Sequence, residues 1–222
     1  MSDAEAHRWQ VEPPPSRAID TGDMAGLGPW FTEVWALRGG VFYEDGRRPG
    51  FDLSGKRLDP DPLDFHAYHI LAHARDGLVG CVRVLPLASA QVGLTELLVG
   101  RDRFEQVLGE IGASRRHTVE VGRLAVRADR RARGLGGLLS AAAWALSRHL
   151  GCRTVVAPAG TADGQDRMLA KIGLRPVPGI ETRRSELFAD EVRVMYAPLE
   201  QPTDGFRSCI DQMARTLDLR HG

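Results

Sequence analysis

The sequence has few cysteines and few aromatic residues for its 222 positions. Its three cysteines, Cys81, Cys152 and Cys209, are widely separated and odd in number, which argues against a disulfide framework and against a zinc cluster. Aromatic residues make up 6% of the chain, too few to favour a surface on which nucleic-acid bases stack. We therefore expect a reduced protein that holds no metal.

Excess charge and long apolar runs are also missing. The 29 Lys and Arg residues balance 29 Asp and Glu residues, whereas nucleic-acid-binding proteins usually carry a basic excess. No stretch approaches the roughly 18 apolar residues of a membrane span, and the opening segment MSDAEAHRWQ lacks the apolar run of a signal peptide. We expect a cytoplasmic protein with no nucleic-acid partner and no membrane span.

The hydrophobic fraction of 43% is sufficient for a proper core. The length fits one domain with decorated ends. Residues 1–17 contain Pro13-Pro14-Pro15 and little apolar pattern, so we expect a disordered extension there. Residues 18–200 are then the single domain, and residues 201–222 are a C-terminal helical tail.

Helical and strand patterns alternate along the domain. Apolar residues at helical spacing predict a helix over 30–42, and a long loop rich in Pro, Gly and acidic residues follows over 44–64. Asp76-Gly77 between two apolar runs predicts a hairpin. Later patterns predict further elements, which are helices over 101–110, 135–150 and 165–172, strands over 117–127, 154–158 and 191–199, and a helix within 203–219. This alternation indicates a mixed α/β domain.

The sharpest local feature is a glycine-rich turn, RARGLGG, at residues 131–137. It lies between a predicted strand and an amphipathic helix, and the N–H groups at the start of a helix form an anion site. Neighbouring arginines add positive charge, so a phosphate or pyrophosphate is the natural ligand. A Walker loop and the dinucleotide fingerprint both fail here, because Gly-Lys-Ser/Thr and a third glycine at Leu139 are absent. A basic helix start with flexible glycines is the alternative.

The motif Arg131-x-x-Gly134-x-Gly136 resembles the pyrophosphate-binding motif of the GCN5-related N-acyltransferases (GNATs), in which this loop holds the diphosphate of acyl-CoA. The segments GCRTVVAP and QDRMLAKIGLRPVPG are similar to the family's next strand, helix and strand, so the resemblance spans roughly residues 30–199. It implies the GNAT fold, a mixed and mostly antiparallel central sheet flanked by helices. It also implies acyl-CoA or acetyl-CoA as co-substrate, bound by Leu124, Val126, Arg131, Arg133, Gly134, Gly136 and Gly137.

A second set of residues narrows the resemblance to one branch. The acyl-homoserine-lactone synthases and the related N-acyl amino acid synthases have a similar order of R-x-x-x-F, aromatic-Asp-Leu, D-x-x-D, G-x-x-R-L-x-P and E-x-S-R. In this chain the order is carried by Arg38 and Phe42, Phe51-Asp52-Leu53, Asp61 and Asp64, Arg83, and Glu120 and Arg123. Gly122 replaces the serine, Phe51 the common tryptophan, and Val84 the usual leucine. The resemblance implies that Arg38, Phe42, Asp61, Asp64 and Arg83 bind substrate.

Glu120 and Arg123 are the candidate catalytic residues. A carboxylate in an apolar strand needs a partner or a function, and Glu120 could accept a proton from an attacking ammonium. Arg123 could hold a substrate carboxylate or pair with Glu120. Residues 120 and 123 face opposite sides of an ideal strand, so both line one pocket only if the strand is bulged, for which Gly122 is permissive. Separate salt bridges are the alternative, as is turn chemistry for Asp61 and Asp64.

These residues predict an N-acyltransferase that moves an acyl group from a thioester to the amine of a small amino-acid-like acceptor. The thioester, on CoA or on an acyl carrier protein, is expected in a gap between the strand ending near Val126 and the strand over 154–157. Backbone N–H groups near Leu124 would polarise its carbonyl. An acetyl-CoA-dependent small-molecule N-acetyltransferase and a non-catalytic acyl-CoA-binding regulator are the alternatives. Monomer and homodimer both stay open.

Overall fold

The computed structural model describes residues 7–15, 27–47, 57–162, 164–186 and 189–219, with only the backbone at Ala132 and Arg133. Phe51-Asp52-Leu53, part of the motif series above, lies outside the described residues. Within the described part, no helix combines the length and the apolar character that crossing a membrane requires.

One sheet organises the described chain. Its eight strands are β1 (Arg8–Glu12), β2 (Tyr68–Ala74), β3 (Gly77–Pro86), β4 (Thr118–Val126), β5 (Thr154–Gly160), β6 (Arg175–Pro176), β7 (Arg183–Ser185) and β8 (Asp190–Pro198). They follow the order β1-β2-β3-β4-β5-β8-β6, and β7 also pairs with β8. Among these strands β4 and β5 are parallel, and every other neighbouring pair is antiparallel. This confirms the predicted mixed, mostly antiparallel sheet.

Helices cover both faces of the sheet. They are α1 (Pro29–Glu44), α2 (Leu94–Val99), α3 (Arg101–Glu110), α4 (Leu135–His149), α5 (Gln165–Lys171) and α6 (Asp204–Thr216), and a short 3-10 turn spans Pro62–His66. Successive strand residues point to opposite faces. In β2, accordingly, Ile70 packs into the core under α4, while Leu71 packs into the core under α1.

Glycine within α1 allows a close approach of the chain. A Cβ at Gly39 would lie 1.9 Å from the carbonyl oxygen of Arg57, so a side chain there would push the following segment off the helix. Asp59 then donates its backbone N–H to the Trp35 carbonyl at 3.0 Å. Gly39 therefore allows the segment leading to Asp61 and Asp64 to pack directly on α1.

The N-terminal segment differs from the expected extension, whereas the C-terminal segment contains the expected helix. The expected disordered extension over 1–17 is wrong for Arg8–Glu12, which pairs antiparallel with β2 from Arg8↔His73 to Glu12↔His69. Trp9 and Val11 pack against the core. An alternating pattern this short, beside three prolines, is not enough to predict a strand from the sequence. At the other end, α6 buries one face against α4, and Trp144 contacts Phe206 at a ring separation of 5.9 Å.

Candidate functional site

A gap opens in the middle of the sheet between the two parallel strands. The β4–β5 ladder pairs Thr118 with Thr154 and ends at Glu120↔Val156. Both strands continue beyond that point, β4 to Val126 and β5 to Gly160, without pairing to each other. The edges of the two strands therefore face an opening, as predicted.

A bulge in β4 lies at the mouth of this gap. The β3–β4 register places Cys81 opposite Ala125 and Arg83 opposite Gly122, so Arg123 and Leu124 together stand opposite one residue of β3. Arg123 has φ +54°, which is an uncommon backbone conformation for a residue other than glycine. The bulge that the spacing of Glu120 and Arg123 requires is therefore present. It lies one residue beyond Gly122, at Arg123, where the ion pairs described below hold the strained backbone.

The gap leads into a cavity of about 470 Å³ between α1, β4, α4 and α5. A smaller cavity of about 50 Å³ adjoins it at the bulge, and the two share Arg47, Leu124 and Gln165 in their walls. The other residues of the large cavity are Val41, Asp45, Val126, Arg131, Gly136, Gly164 and Met168. The other residues of the small cavity are Phe42, Leu94, Gly122, Arg123, Pro158, Gly160, Asp190 and Val192. The two cavities therefore lie side by side and share part of their walls.

The glycine-rich turn forms the end of the large cavity. Gly134 has φ +76° and is the N-cap of α4, and the N–H groups of Gly137 and Leu138 both donate to its carbonyl. A Cβ on Gly134, Gly136 or Gly137 would meet no protein atom within 4 Å. The backbone at the start of α4 is therefore open to a ligand, and the first N–H groups of a helix attract anions.

Arg131 connects three elements beside this turn. Its Nε donates to the Val126 carbonyl at 3.1 Å, and its two terminal nitrogens donate to the Asp45 carboxylate at 2.8 and 3.1 Å. Arg130 pairs instead with Asp76 and Asp129, away from the cavities. Arg131 thus brings its predicted positive charge to the cavity wall, while the side chain of Arg133 lies outside the described part.

Most of the upstream site residues converge in one place, which we call the buried ion cluster. Its members are Arg38, Asp59, Asp61, Asp64, Arg83, Glu120 and Arg123, all at most 8% exposed. Three guanidinium groups and four carboxylates thus share a buried region, where charges must be paired. The predicted order of residues along the chain is therefore also a set of mutual contacts.

Arg38 and Asp64 form the most deeply buried pair of the cluster. Their closest contacts are 2.5 and 3.0 Å, and Trp35 Nε1 donates to Asp64 at 2.9 Å. Burial alone would raise the pKa of Asp64, but the charge and hydrogen bonds of Arg38 outweigh it and hold that pKa at about 2. Both residues are 0% exposed, so they lie behind the cavities and not on their walls.

Asp61 links the cluster to the bulge. Its Oδ2 accepts from Arg83 at 2.6 Å and from Arg123 at 2.6 and 3.0 Å. Its Oδ1 accepts from the backbone N–H of Leu63 at 3.0 Å and so caps the 3-10 turn. The two arginines lower the pKa of Asp61 against the opposing effect of burial. Turn chemistry and ion pairing are therefore both present at Asp61.

Glu120 is held by the short helix α2. Its carboxylate accepts from the backbone N–H groups of Leu94 at 3.0 Å and Thr95 at 2.7 Å, and from the Thr95 hydroxyl at 2.7 Å. A terminal nitrogen of Arg83 lies 4.0 Å away. Glu120 is not among the residues lining either cavity. Its contacts hold α2 in place, and its role as a base stays a prediction.

Several predicted residues do lie on the cavity walls. Phe42 and Arg123 line the small cavity, Val126, Arg131 and Gly136 the large one, and Leu124 both. Sequence reasoning missed other residues of the wall, among them Arg47, Leu94, Gln165 and Asp190. No motif marks them, because each belongs to a separate element and only the fold brings them together. No group of three or more His, Cys, Asp or Glu residues in the described chain could hold a metal ion.

Comparison with known proteins agrees with this architecture. A family model described as an acetyltransferase (GNAT) domain matches residues 37–141. No curated protein sequence matches the chain significantly. Among solved structures, the CoA-dependent acyl-homoserine lactone synthase BjaI is similar at a TM-score of 0.65, with 18% identity over 95% of this chain and 89% of BjaI.

Two further structures have the same fold. TofI, in a ternary complex with an inhibitor and MTA, has a TM-score of 0.59 and 16% identity over 92% of this chain and 96% of its own. The acyl-homoserine lactone synthase LasI has a TM-score of 0.55 and 17% identity over 87% and 91% of the two chains. The chain therefore resembles the GNAT family over residues 37–141 and shares its fold with the acyl-homoserine lactone synthases BjaI and LasI.

Proposed function

We propose that this protein transfers an acyl group from a thioester to the amine of a small amino-acid-like acceptor. The observation that carries the proposal is the pair of adjoining cavities, which extends from the bulge of β4 to the open glycine start of α4. A thioester whose carrier arm ends in phosphate groups matches this shape, with its anionic end at α4 and its reactive carbon at the bulge.

The donor is proposed to bind largely through backbone groups. The start of α4 from Gly134 to Gly137 would receive the pyrophosphate of CoA, with Arg131 adding positive charge. The unpaired edge of β4 from Leu124 to Val126 offers N–H and C=O groups to the amide groups of the pantetheine arm, much as a neighbouring strand would. The same edge would also accept the shorter phosphopantetheine arm of an acyl carrier protein.

The reaction needs orientation and stabilisation of negative charge. A backbone N–H near Leu124 would donate to the thioester oxygen as the amine attacks and the carbonyl carbon becomes tetrahedral. The C–S bond then breaks, and the thiolate leaves with a proton. Holding both reactants at the bulge supplies a large part of the rate enhancement through proximity.

The polar residues at the bulge support an amino-acid-like acceptor. Arg47 lies on the wall of the small cavity, and its guanidinium group suits a carboxylate of the acceptor. The guanidinium group of Arg123 is paired with Asp59 and Asp61. One BjaI structure, at 17% identity and a TM-score of 0.62, contains SAM and isopentyl-CoA. We propose that this chain likewise combines an amino-acid-like amine with an acyl thioester.

The small cavity leaves little room for an acyl group beside the acceptor, which favours the second candidate, transfer of acetyl or another short acyl group from CoA. Its volume is about 50 Å³, whereas an engineered cavity that binds benzene has about 150 Å³. Leu94, Pro158 and Val192 close it on the apolar side. A fatty acyl chain would require these side chains to move apart.

Calorimetry with CoA, acetyl-CoA, butyryl-CoA and a long-chain acyl-CoA tests the proposal, on the wild type and on Gly134→Val. Valine is strained at the positive φ of Gly134 and covers the open backbone at the start of α4. Gly112→Val is the matched control, because Gly112 is also exposed, has φ +70° and has no protein atom within 4 Å of the position that a Cβ would take. Because both substitutions strain the backbone similarly, a loss of binding in Gly134→Val alone would identify the start of α4 as the phosphate site.

The expected result is binding of acetyl-CoA and butyryl-CoA that weakens about tenfold or more in Gly134→Val and stays unchanged in Gly112→Val. Tighter binding of the long-chain donor would support a long-chain N-acyl synthase instead. Binding without acyl transfer to any amine would support a non-catalytic acyl-CoA-binding regulator. Absence of CoA and acyl-CoA binding to the wild type would contradict the CoA assignment.

A further inference from the structure

Asp190 is the buried carboxylate on the wall of the small cavity. It begins β8, where it pairs with Ser185 of β7 across the hairpin. It is 8% exposed and lines the cavity together with the bulge residues Gly122, Arg123 and Leu124. Asp190 therefore lies on the same small cavity as the bulge.

The chain leaves room for this carboxylate. A Cβ at Gly160 would lie 2.2 Å from Asp190 Oδ2, so the absence of a side chain at the end of β5 is what lets Oδ2 occupy its position. The other oxygen, Oδ1, accepts the backbone N–H of Ala162 at 3.3 Å. This bond fixes the side chain and leaves Oδ2 directed over Gly160 at the cavity wall.

Among the residues that the structure describes, Asp190 differs from the other buried carboxylates in making no ion pair. Asp61 and Asp64 pair with arginines of the buried ion cluster, Asp166 pairs with Arg193, and Glu96 pairs with Arg115. No Arg, Lys or His within the described ranges makes an ion pair with Asp190. A buried carboxylate is costly unless a positive charge compensates it. The compensating cation is therefore expected from outside the protein.

We infer that Asp190 binds the ammonium group of the acceptor at the bulge. This inference rests on the proposed function and adds the residue that recognises the amine. With Asp190 on the ammonium and Arg47 on the same wall, the small cavity presents both charges that an amino acid needs. Glu120 lies behind this wall, with its oxygens already accepting from Leu94 and Thr95.

The proton balance of the reaction is complete with this assignment. The acceptor ammonium gives one proton to Asp190 Oδ2, and the neutral amine attacks the thioester carbon. As the C–S bond breaks, the second proton of the former ammonium passes to the thiolate, and the third stays on the amide nitrogen. The products are an amide and a free thiol, and Asp190 returns its proton to water.

Steady-state kinetics with acetyl-CoA and a panel of L-amino acids tests the inference on the wild type and Asp190→Asn. Asparagine preserves the oxygen that accepts from Ala162 and removes the charge. We expect KM for the amino acid to rise about 10- to 100-fold and the KM for acetyl-CoA to stay unchanged. Glu191→Gln is the matched control, because it removes one charge from the adjacent, exposed position, and it should behave like the wild type.

An uncharged amine separates recognition of the ammonium from a structural effect. O-Methylhydroxylamine is neutral at neutral pH, so its KM should be the same in the wild type and Asp190→Asn. An equal increase of KM for both acceptors, or no increase for either, would overturn the inference while leaving the acyltransferase proposal intact.

A direct binding measurement keeps the test independent of turnover. Saturation-transfer NMR with butylammonium chloride, and with butanol as its neutral counterpart, should detect the ammonium on the wild type and not on Asp190→Asn. Absence of acyl transfer by the wild type would count against the proposed function, whereas binding of butylammonium would still support Asp190. Equal binding of butylammonium to both proteins would refute the role of Asp190.

Discussion

Replacement of Arg38 by methionine is the most informative perturbation of the buried ion cluster. Methionine retains an apolar stem of similar reach but removes the cation that contacts Asp64 at 2.5 and 3.0 Å. Asp64 is 0% exposed, so its carboxylate cannot turn towards water. We expect Arg38→Met to leave a buried charge that is only partly compensated, by Arg83 at 3.2 Å.

The magnitude follows from the pKa of Asp64. Its depression from 3.8 to about 2 corresponds to about 2 kcal/mol of folding free energy above pH 4. Loss of one partner from a buried pair costs about 3–5 kcal/mol, and Arg38 also contacts Asp59 at 3.2 Å. Arg38→Met should therefore lower the free energy of unfolding by about 3–5 kcal/mol at pH 7, a large share of typical domain stability.

Urea unfolding at pH 7 and at pH 4.5 measures this loss. A depressed carboxyl pKa stabilises the fold above the unfolded-state pKa and ceases to do so as pH falls through the folded-state pKa. In Arg38→Met the Asp64 pKa should rise, so protonation relieves the buried charge and the deficit should shrink at the lower pH. Arg103→Met, which breaks an exposed pair with Glu110, is the control and should cost no more than about 1 kcal/mol. A deficit below about 1 kcal/mol in Arg38→Met, or one independent of pH, would refute the reasoning.

Two further predictions concern His69, a neighbour of this cluster, and Glu120, one of its members. Burial lowers the pKa of His69 from 6.5 to about 4. Between these two pH values the unfolded chain binds a proton that the native state does not bind. The free energy of unfolding should therefore fall by up to about 3 kcal/mol from pH 6.5 to 4. Urea midpoints of the wild type and His69→Gln over that range check this, since the slope should flatten in the variant. Glu120→Gln should lower the free energy of unfolding by about 1–3 kcal/mol, because it weakens the hydrogen bonds to α2. Thr95→Val weakens the same contact without changing Glu120, so thermal unfolding and kcat are measured for both variants. A fall of kcat in Glu120→Gln alone would identify Glu120 as a base.

Local patterns predicted the elements well where each has its own signal. Asp76-Gly77 identified the β2–β3 hairpin, and the spacing of leucines identified α4. The short helix α2 was missed because six residues carry too little periodicity. Strand β1 was missed for a similar reason, since its pairing partner β2 lies far along the chain.

The sequence predicted those site residues whose charge is unusual for their predicted position. Glu120 within an apolar strand indicated a buried contact, and the spacing of Glu120 and Arg123 required the bulge that β4 contains. Asp190 could not be recognised in this way, because a single aspartate after a turn is common in loops. Its significance comes from Gly160 and the cavity wall, which only the folded chain places beside it.

The buried ion cluster explains how a strained backbone can be held at the reactive end of the gap. Positive φ at Arg123 costs roughly 1–2 kcal/mol and persists only where surrounding contacts determine it. Asp61 Oδ2 receives two nitrogens of Arg123, while Asp59 lies 3.3 Å from the third. The cluster thus fixes the side chain of Arg123, and through it the direction of the following N–H at Leu124. In this way the buried ion pairs, which do not contact the acyl donor, would orient the Leu124 N–H group that is proposed to polarise the donor's carbonyl.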